Sequence, residues 1–372
     1  MIGYNFKVYM KKHITFFVCI LFFTLIFYGQ NSYKYTQPKK VSDGWKTNNL
    51  NSLNIDSTRI YKLFNQLQNN KHKIHSVLLI KNDQIIIEEY FDKNNIDTQH
   101  DLRSATKSII SILLGIAIDK GFINNIDDPI SKYLTSPVPT KNLDERKNKI
   151  TIEHLLTMST GLDCNDWDKE SEGQEDKVYK KKDWIQYTIN LPMINEPGTV
   201  SSYCSMGTVL IAEIISRASG MTIDKFSKKY LFNPLGINHV SWGHTSNKEV
   251  ISSAKRLYMT SRDMAKIGKL VLNNGKWNKE QIVSEKWIEL STTQKTKITG
   301  IDYGFLWWNI PFKVDEKTLF SKAATGNGGQ YIMIFPELDL VAAFTGGAYN
   351  SQDDKLPFAI MNDIFLPIFY LE

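Results

Sequence analysis

A serine and a lysine stand three residues apart at the start of a long apolar run. Ser104 and Lys107 open the segment RSATKSIISILLGIAIDKG, which extends from Arg103 to Gly121. Residues i and i+3 lie on one face of a helix, so the two side chains would touch if this segment is helical. A serine hydroxyl is a weak nucleophile until a base removes its proton. Because burial disfavours the charged form of a lysine, we expect a partly neutral Lys107 that can act as this base.

The spacing of this pair is not specific by itself. A second Ser-x-x-Lys pair, Ser252 and Lys255, occurs in ISSAKRL with no long apolar helix after it. The apolar helix behind Ser104 favours the first pair as the reactive one. On the pair alone two interpretations stay open: a chance match in which Lys107 reaches out to water, and a nucleophile with its base.

Two downstream segments add the remaining parts of a known arrangement. In EPGTVSSYCSMGTVLIAEIISRASGMT, a Pro-Gly turn precedes Tyr203-Cys204-Ser205 and an apolar helix that ends at Ser-Gly. In ATGNGGQYIMIFPELDLVAAFTGG, the run 327–329 precedes a strand. The order Ser-x-x-Lys, Tyr-x-Ser, x-x-Gly resembles that of the serine β-lactamase and penicillin-binding-protein superfamily.

Further segments are similar to the class-C-like branch of that superfamily. This branch includes esterases, D-aminopeptidase-like enzymes and 6-aminohexanoate-dimer hydrolases. The resemblance covers roughly residues 40–365 and rests on four connecting segments: SVLLIKNDQIIIEEYF, ITIEHLLTMSTGLD, LFNPLGI and TSRDMAKIGKLVLNNGKW.

The resemblance implies a role for each motif residue. Ser104 would be the acylated nucleophile and Lys107 its partner. Tyr203 would share the role of base and pass the proton to the leaving group, since a phenol beside an ammonium ionises more readily. The oxyanion hole would use the backbone N–H groups of Ser104 and Gln330, which stabilise charge that appears only in the tetrahedral state.

The glycines before that strand would serve the same region. Gly328 and Gly329 have no side chain and would let the backbone approach a substrate closely. An ordinary turn at the entry to the strand is the alternative for them.

Two positions depart from the superfamily pattern and bear on the substrate. Ser205 replaces the usual asparagine. Asn327 stands where many members carry a lysine or histidine that would hold the carboxylate of a β-lactam, and Lys322 could replace it only under a different alignment. We therefore expect a serine hydrolase for an ester or amide bond. A β-lactamase, a D-amino-acid peptidase and a non-catalytic or slowly deacylating sensor or binding module remain the alternatives.

The element pattern predicts an α+β fold in which strands open and close the chain. The segments HSVLLIK and QIIIEEYF, joined at Asn82-Asp83, are typical of a β-hairpin. Strands return in YGFLWWNI, QYIMIFP and LVAAFTGG, and a last helix fills 354–368. The sheet would be antiparallel, built from both chain ends, with a helical lobe at about 122–300 inserted, as in the β-lactamase/transpeptidase-like fold. The clearest helical signals lie at 57–68, 104–120, 181–191, 206–219, 222–231, 261–273 and 284–292.

The first thirty residues are typical of a targeting segment. A basic start precedes an apolar run from Ile14 to Tyr28, which is short for a membrane-spanning helix of about 20 residues. We expect residues 1–30 to be a signal peptide cleaved near residue 30, with an uncleaved N-terminal anchor as the alternative. The protein would then be exported to the periplasm or the cell exterior. Residues 31–55 would form a polar linker or wrap, and 56–372 the hydrolase domain.

If the protein is exported, the two cysteines beyond that segment could form a disulfide. Cys164 and Cys204 form a pair in a compartment where disulfides persist. A bridge between them would stabilise the fold by about 4 kcal/mol on the chain-entropy model. Two buried free thiols are the alternative, and the sequence leaves both open.

Composition and missing motifs exclude several function classes. The net charge of +6 includes three lysines in the first thirty residues, and without them 42 basic residues face 39 acidic ones. This balance gives no reason to expect a nucleic-acid partner. The sequence has no Gly-x-Ser-x-Gly elbow and no His-Glu-x-x-His motif. We therefore expect no metal and no organic cofactor, a small-molecule or peptide-like ester or amide as substrate, and membrane contact only through an uncleaved N-terminus.

Three other features have ordinary structural interpretations. His154 is expected to be a structural histidine on a short helix. Trp307 and Trp308 are expected to line a pocket or to pack the sheet, and because alternate strand residues face opposite sides, only one of them is expected to face the core. The charged stretch 165–182, NDWDKESEGQEDKVYKKK, is interpreted as a solvated loop, with a pocket rim as the alternative.

Overall fold

The computed structural model describes residues 32–243 and 256–370. The predicted targeting segment 1–30 and the second Ser-x-x-Lys pair, Ser252 and Lys255, lie outside the described residues.

A nine-stranded sheet built from both ends of the chain forms the centre of the molecule. Its order is β1-β3-β2-β14-β13-β12-β11-β10-β9, and every pair is antiparallel except β1 with β3. The α+β class with an antiparallel sheet from both chain ends is therefore confirmed. The strands of this sheet are β1 (Lys46–Thr47), β2 (Ile74–Lys81), β3 (Gln84–Tyr90), β9 (Thr296–Ile298), β10 (Ile301–Tyr303), β11 (Trp308–Val314), β12 (Lys317–Gly326), β13 (Gln330–Phe335) and β14 (Leu340–Gly346).

The predicted hairpin is present, whereas one strand of the tail differs from the prediction. Asn82 and Asp83 adopt φ values of 50° and 60°, as a two-residue turn between twisted strands requires. The segment YGFLWWNI does not form one strand, because β11 begins only at Trp308. The strand β12 is not among the strands predicted from the sequence. Along most of its ten residues, exposed or half-buried positions alternate with buried ones. This strand matters because its end, Gly326, leads directly to Asn327.

One face of the sheet is covered by the helix Ser261–Leu272, which contacts β13, β14 and β2. Gly268 permits the close approach, because a Cβ there would lie 2.5 Å from Cγ1 of Val341. The helix Thr106–Asp119 contacts β12 and packs on the helix Ser205–Ser219. The remaining helices are Thr58–Asn69, Ile152–Leu156, Glu175–Val178, Trp184–Ile189, Ile223–Ser227, Glu285–Thr292, Leu356–Ile360 and Leu366–Tyr370, with π-helical turns at Lys228–Phe232 and Met361–Phe365.

The helix Thr106–Asp119 is buried on all sides. Its residues from Thr106 to Ala117 are buried, which explains why an apolar run follows Lys107. Trp287 packs directly on Gly115, where a Cβ would lie 2.2 Å from the indole. The indole Nε1 of Trp287 also donates to the carbonyl of Ser111 at 2.9 Å. This helix is therefore a fixed support for the residues at its N-terminus.

Small strand pairs and the N-terminal segment complete the structure. A three-stranded sheet contains β4 (Gln99–Asp101), β5 (Ser241–Trp242) and β6 (Leu257–Thr260), and β7 (Lys276–Trp277) pairs with β8 (Glu280–Gln281). Within the predicted polar wrap 31–55, Trp45 and Leu50 are buried. Among the described residues no single helix has the length and hydropathy to cross a membrane; the bent pair Ser205–Ser219 and Ile223–Phe232 meets those two criteria only jointly.

Candidate active site

The predicted contact between Ser104 and Lys107 is present in the structure. Residues Arg103–Ala105 form a single 3-10 turn that leads into the helix Thr106–Asp119. Nζ of Lys107 lies 3.0 Å from Oγ of Ser104 and donates a hydrogen bond to it. The helix therefore places a buried amine directly against a hydroxyl group at its N-terminus.

The charge state of Lys107 differs from the expectation. Burial alone lowers the pKa of Lys107, but Tyr203, Asp166 and Glu175 around it outweigh this effect, so the pKa is raised. The prediction of a partly neutral lysine is thus wrong, because it considered desolvation and not the anionic neighbours. Lys107 is an ammonium at neutral pH and donates to Ser104 rather than accepting its proton.

Tyr203 lies beside this ammonium and packs against two indole rings. Nζ of Lys107 is 4.9 Å from the centre of the Tyr203 ring. Trp167 stacks parallel to that ring at 4.7 Å, and Trp308 lies on it at 6.0 Å. These contacts fix the orientation of the Tyr203 ring next to Lys107.

Both adjacent tryptophans are buried, contrary to the expectation that only one faces the core. Trp307 is 0% exposed and Trp308 is 9% exposed. The alternation rule does not apply to them, because Trp307 precedes the strand that Trp308 begins. Trp308 supports the Tyr203 ring, and Tyr303 packs on its edge at 4.6 Å.

Ser205 connects two acidic side chains that the sequence analysis did not select. Its N–H and Oγ–H donate to Oδ2 of Asp166 at 2.8 and 2.6 Å, and its Oγ lies 3.1 Å from Oε2 of Glu175. The hydroxyl of Tyr179 donates to the same Oε2 at 2.9 Å. Both carboxylates belong to the stretch 165–182, so the interpretation of that stretch as a solvated loop is wrong for Asp166 and Glu175.

The surroundings of Asp166 raise the pKa of its carboxyl group. Burial raises its pKa to about 7, with a further contribution from Glu175 and with Lys107 and the hydrogen bonds from Ser205 acting in the opposite direction. Its Oδ1 atom is buried and has no hydrogen-bond partner among the described residues. The carboxyl group is therefore held in a site that is poor in solvent and near an ammonium.

A disulfide and a backbone hydrogen bond hold this acidic segment against Tyr203. The structure joins Cys164 and Cys204 by a disulfide with a sequence separation of 40 residues. The N–H of Asp166 donates to the carbonyl of Tyr203 at 2.8 Å. Both connections link the segment that carries Asp166 to the segment Tyr203-Cys204-Ser205. The position of the Asp166 carboxyl group and that of the Tyr203 ring therefore depend on each other.

The third motif contributes one of its four selected residues to the site. Asn327 lines the cleft that contains Ser104. Gln330 is fully buried, and its Nε2 donates to the carbonyl of Gly346 at 2.5 Å. A Cβ at Gly328, which has a φ of 92°, would lie 2.5 Å from the ring of Tyr349. Gly329 has a φ of 95° and faces Gly346. The close approach at these glycines is therefore to the protein itself.

Two further selected residues lie away from the cleft. Lys322, in the middle of β12, pairs with Asn309 and Ile334 and does not line the cleft with Ser104. His154 is a structural histidine, as predicted: it forms a capping box in which its Nδ1 accepts from the N–H of Thr151 at 3.1 Å.

Ser104, Lys107 and Ser205 lie in the wall of a polar cleft with a cavity volume of about 80 Å³. Its lining contains both cationic and acidic side chains, so the cleft suits a polar substrate. In the described part of the chain, no three His, Cys, Asp or Glu side chains are grouped to hold a metal ion. The lining residues are Arg103, Ser104, Lys107, Glu175, Asp176, Tyr179, Ser205, Thr208, Val209, Arg256 and Asn327.

The chain is similar to several known proteins. The model of the family described as Beta-lactamase matches residues 64–360. Monacolin J acid methylbutanoyltransferase of Aspergillus terreus is 26% identical over 46% of this chain and 44% of its own length. The 6-aminohexanoate-dimer hydrolase of Paenarthrobacter ureafaciens is 21% identical over 61% of this chain and 59% of its own length. The matches thus span about half the length of these two relatives.

A solved structure has the same fold. The octameric penicillin-binding protein homologue from Pyrococcus abyssi superposes with a TM-score of 0.61 at 19% identity, over 81% of this chain and 76% of that chain. The predicted β-lactamase/transpeptidase-like fold is therefore confirmed.

The disulfide leads to a prediction about stability. In the double variant Cys164→Ser/Cys204→Ser the unfolded chain loses a loop constraint, so we expect the free energy of unfolding to fall by about 4 kcal/mol. Urea denaturation measures this difference. Alkylation in denaturant tests the bridge itself: two additional thiols should react only after reduction, and equal labelling with and without reductant would show that the bridge is absent.

The raised pKa of Asp166 leads to a prediction about pH. Between its unfolded pKa near 3.8 and its folded pKa of about 7, the folded protein binds more protons, so stability falls as pH rises through this window. The variant Asp166→Asn lacks this term. We expect the loss of unfolding free energy from pH 5 to pH 7 to be smaller in the variant by on the order of 2 kcal/mol, since one pKa unit corresponds to about 1.4 kcal/mol.

The control for this measurement is Asp176→Asn, which removes an exposed carboxylate close to the same cleft. Its pH dependence of stability should match that of the unmodified protein. An identical slope in Asp166→Asn and the unmodified protein would contradict a raised pKa at Asp166.

Proposed function

The chain belongs to the beta-lactamase family, and from this we propose that it is a serine hydrolase that cleaves an ester or amide bond through an acyl-enzyme on Ser104. The observation that carries the proposal is the 3.0 Å contact of Lys107 Nζ with Ser104 Oγ at the wall of the cleft. A buried ammonium beside a serine hydroxyl stabilises the negative charge that develops on the serine oxygen during attack.

The proton movements follow from the charge of Lys107. As an ammonium it has no lone pair to accept the proton of Ser104, so we assign the base role to Tyr203. The Ser104 oxygen attacks the carbonyl carbon while its proton passes to the phenolate oxygen of Tyr203. That proton then goes to the leaving alcohol or amine as the scissile bond breaks. A water molecule then attacks the acyl carbonyl and gives one proton to Tyr203, and that proton passes to the Ser104 oxygen as the acyl group leaves. Lys107 stabilises the phenolate form of Tyr203 before each proton transfer.

The oxyanion would be held by backbone donors at two places. The N–H of Ser104 is retained as the first donor. For the second donor we propose the N–H of Gln330 at the start of β13, as the resemblance implies, or that of Asn327, which lines the cleft. Fixed N–H donors aimed at a developing oxyanion contribute a large part of the rate of acyl transfer.

The first experiment tests whether Ser104 is activated. The purified protein is treated with a fluorophosphonate, and its intact mass is measured beside the variants Ser104→Ala and Ser201→Ala. Ser201 lies outside the cleft, where its hydroxyl bonds to that of Thr296, so this control should be labelled like the unmodified protein. We expect one adduct in these two proteins and none in Ser104→Ala.

Turnover separates a hydrolase from a binding module. With a p-nitrophenyl ester, a hydrolase releases p-nitrophenol steadily, whereas a slowly deacylating module releases about one equivalent and stops. Absence of an adduct on every protein would contradict activation of Ser104 and would favour a non-catalytic module.

We also propose that the mature protein is exported to the periplasm or the cell exterior. The Cys164–Cys204 disulfide supports this, because such bridges persist mainly in oxidising compartments. N-terminal sequencing of the protein from its native cells should give a start near residue 30. A mature chain that begins at Met1 or Met10 would contradict cleavage.

A further inference from the structure

We propose that Arg103 and Arg256 form a carboxylate-binding subsite beside Ser104, so that the substrate is an ester or amide carrying a free carboxylate. This inference rests on the proposed function and specifies the substrate class for the same cleft. Both arginines line the cleft together with Ser104 and Asn327, and the charge and the rigidity of the pair support the assignment.

One carboxylate organises the two guanidinium groups. Oδ2 of Asp101 lies 3.2 Å from Nε of Arg103 and 3.3 Å from Nη1 of Arg256. Asp101 belongs to β4, which pairs with β6 directly after Arg256. Two positive groups thus share a single negative one, and the cluster retains an excess positive charge at the cleft wall.

The backbone and the guanidinium of Arg103 are both held in place. Its backbone N–H donates to Oδ1 of Asp101 at 3.0 Å, and its guanidinium carbon lies 4.7 Å from the centre of the Tyr349 ring. Its φ of 51° is unusual for a residue other than glycine and persists only where the surroundings enforce it. Tyr349 is in turn packed on Gly328. A guanidinium fixed in this way loses little conformational entropy when it binds an anion.

The charge distribution in the cleft determines the direction in which such a substrate binds. Glu175 and Asp176 line the cleft along with the arginines, and Glu175 already accepts a hydrogen bond from Tyr179. A carboxylate near these acidic groups would be repelled. A guanidinium instead offers two parallel N–H donors that match the two oxygens of a carboxylate.

The subsite also compensates for a departure of the sequence. Asn327 stands where many members of the family have a cation for the carboxylate of the substrate, and its side chain is bonded to Asn350 at 2.7 Å. Two further positive charges at this cleft come from the residue that precedes Ser104 and from the residue that precedes β6. Because the location differs, a carboxylate would reach it from a different position relative to the reacting carbonyl.

The test compares two esters that differ in one charge. The substrates are mono-p-nitrophenyl adipate and its methyl-capped counterpart, methyl p-nitrophenyl adipate. We expect the unmodified protein to favour the anionic ester in kcat/KM. In Arg256→Gln the ratio of the two kcat/KM values should fall about tenfold to a hundredfold, the size expected for loss of a charge-assisted hydrogen bond.

Two matched variants control for charge and geometry. Arg217→Gln removes the same charge outside the cleft, at a residue paired with Glu213, and should keep the ratio. Arg256→Lys keeps the charge without the paired donors and should restore part of the ratio. A ratio unchanged in Arg256→Gln would overturn the subsite.

A binding measurement separates this inference from the proposed function. Monomethyl adipate should raise the Tm of the unmodified protein more than that of Arg256→Gln, and dimethyl adipate should not distinguish the two. If the acid binds in this way but neither ester is cleaved and no fluorophosphonate adduct forms, the proposed function fails and the subsite stands. If both esters are cleaved equally and the acid does not bind, the hydrolase stands and the subsite is wrong.

Discussion

An ammonium group that is buried must be compensated, and the region around Ser104 is arranged to meet this requirement for Lys107. An isolated charge in a protein interior costs several kcal/mol unless polar or charged groups replace its hydration. Lys107 cannot avoid burial, because it lies on a helix that is enclosed on all sides. The groups that compensate it are Ser104, Tyr203, Asp166 and Glu175. The hydroxyl that we propose as the nucleophile is therefore also part of the solvation of the lysine.

This requirement explains why distant segments meet at one place. Asp166 and Glu175 come from a polar stretch that has little apolar surface to hold it in position. The disulfide to Cys204 and the hydrogen bond to the Tyr203 carbonyl attach that stretch to the helix Ser205–Ser219. That helix packs on the helix of Lys107. The disulfide, the hydrogen bond and the helix–helix contact together fix the distance between these carboxylates and the Lys107 ammonium.

The sequence predicted the local features of this arrangement better than the long-range ones. The hairpin at Asn82-Asp83, the helix after Ser104 and the order of the three motifs depend on residue types and short spacings, so they could be predicted. The sign of the pKa shift of Lys107 could not, because it depends on carboxylates some sixty residues away in the chain. Two signals were available for Asp166 and Arg103: the first lies two residues from a paired cysteine, and the second directly precedes the predicted nucleophile. Arg256 gave no comparable signal, since only the pairing of β4 with β6 brings it to Asp101.

Charge at Lys107 and charge at the arginine pair have different consequences for the chemistry. The charge of the Lys107 ammonium is balanced by the groups around it. Its electrostatic effect is therefore confined to the short distance to Ser104 and Tyr203, where it favours the negative charge that forms. Arg103 and Arg256 share one carboxylate and border the open cleft, so their excess charge acts on whatever enters it. If the same two functions were combined in one cation, a bound carboxylate would partly cancel the field that favours attack by Ser104. In this structure the arginines pair with Asp101, whereas Lys107 lies near Asp166. An anionic substrate can therefore bind at the arginines while the Lys107 ammonium continues to stabilise negative charge at Ser104.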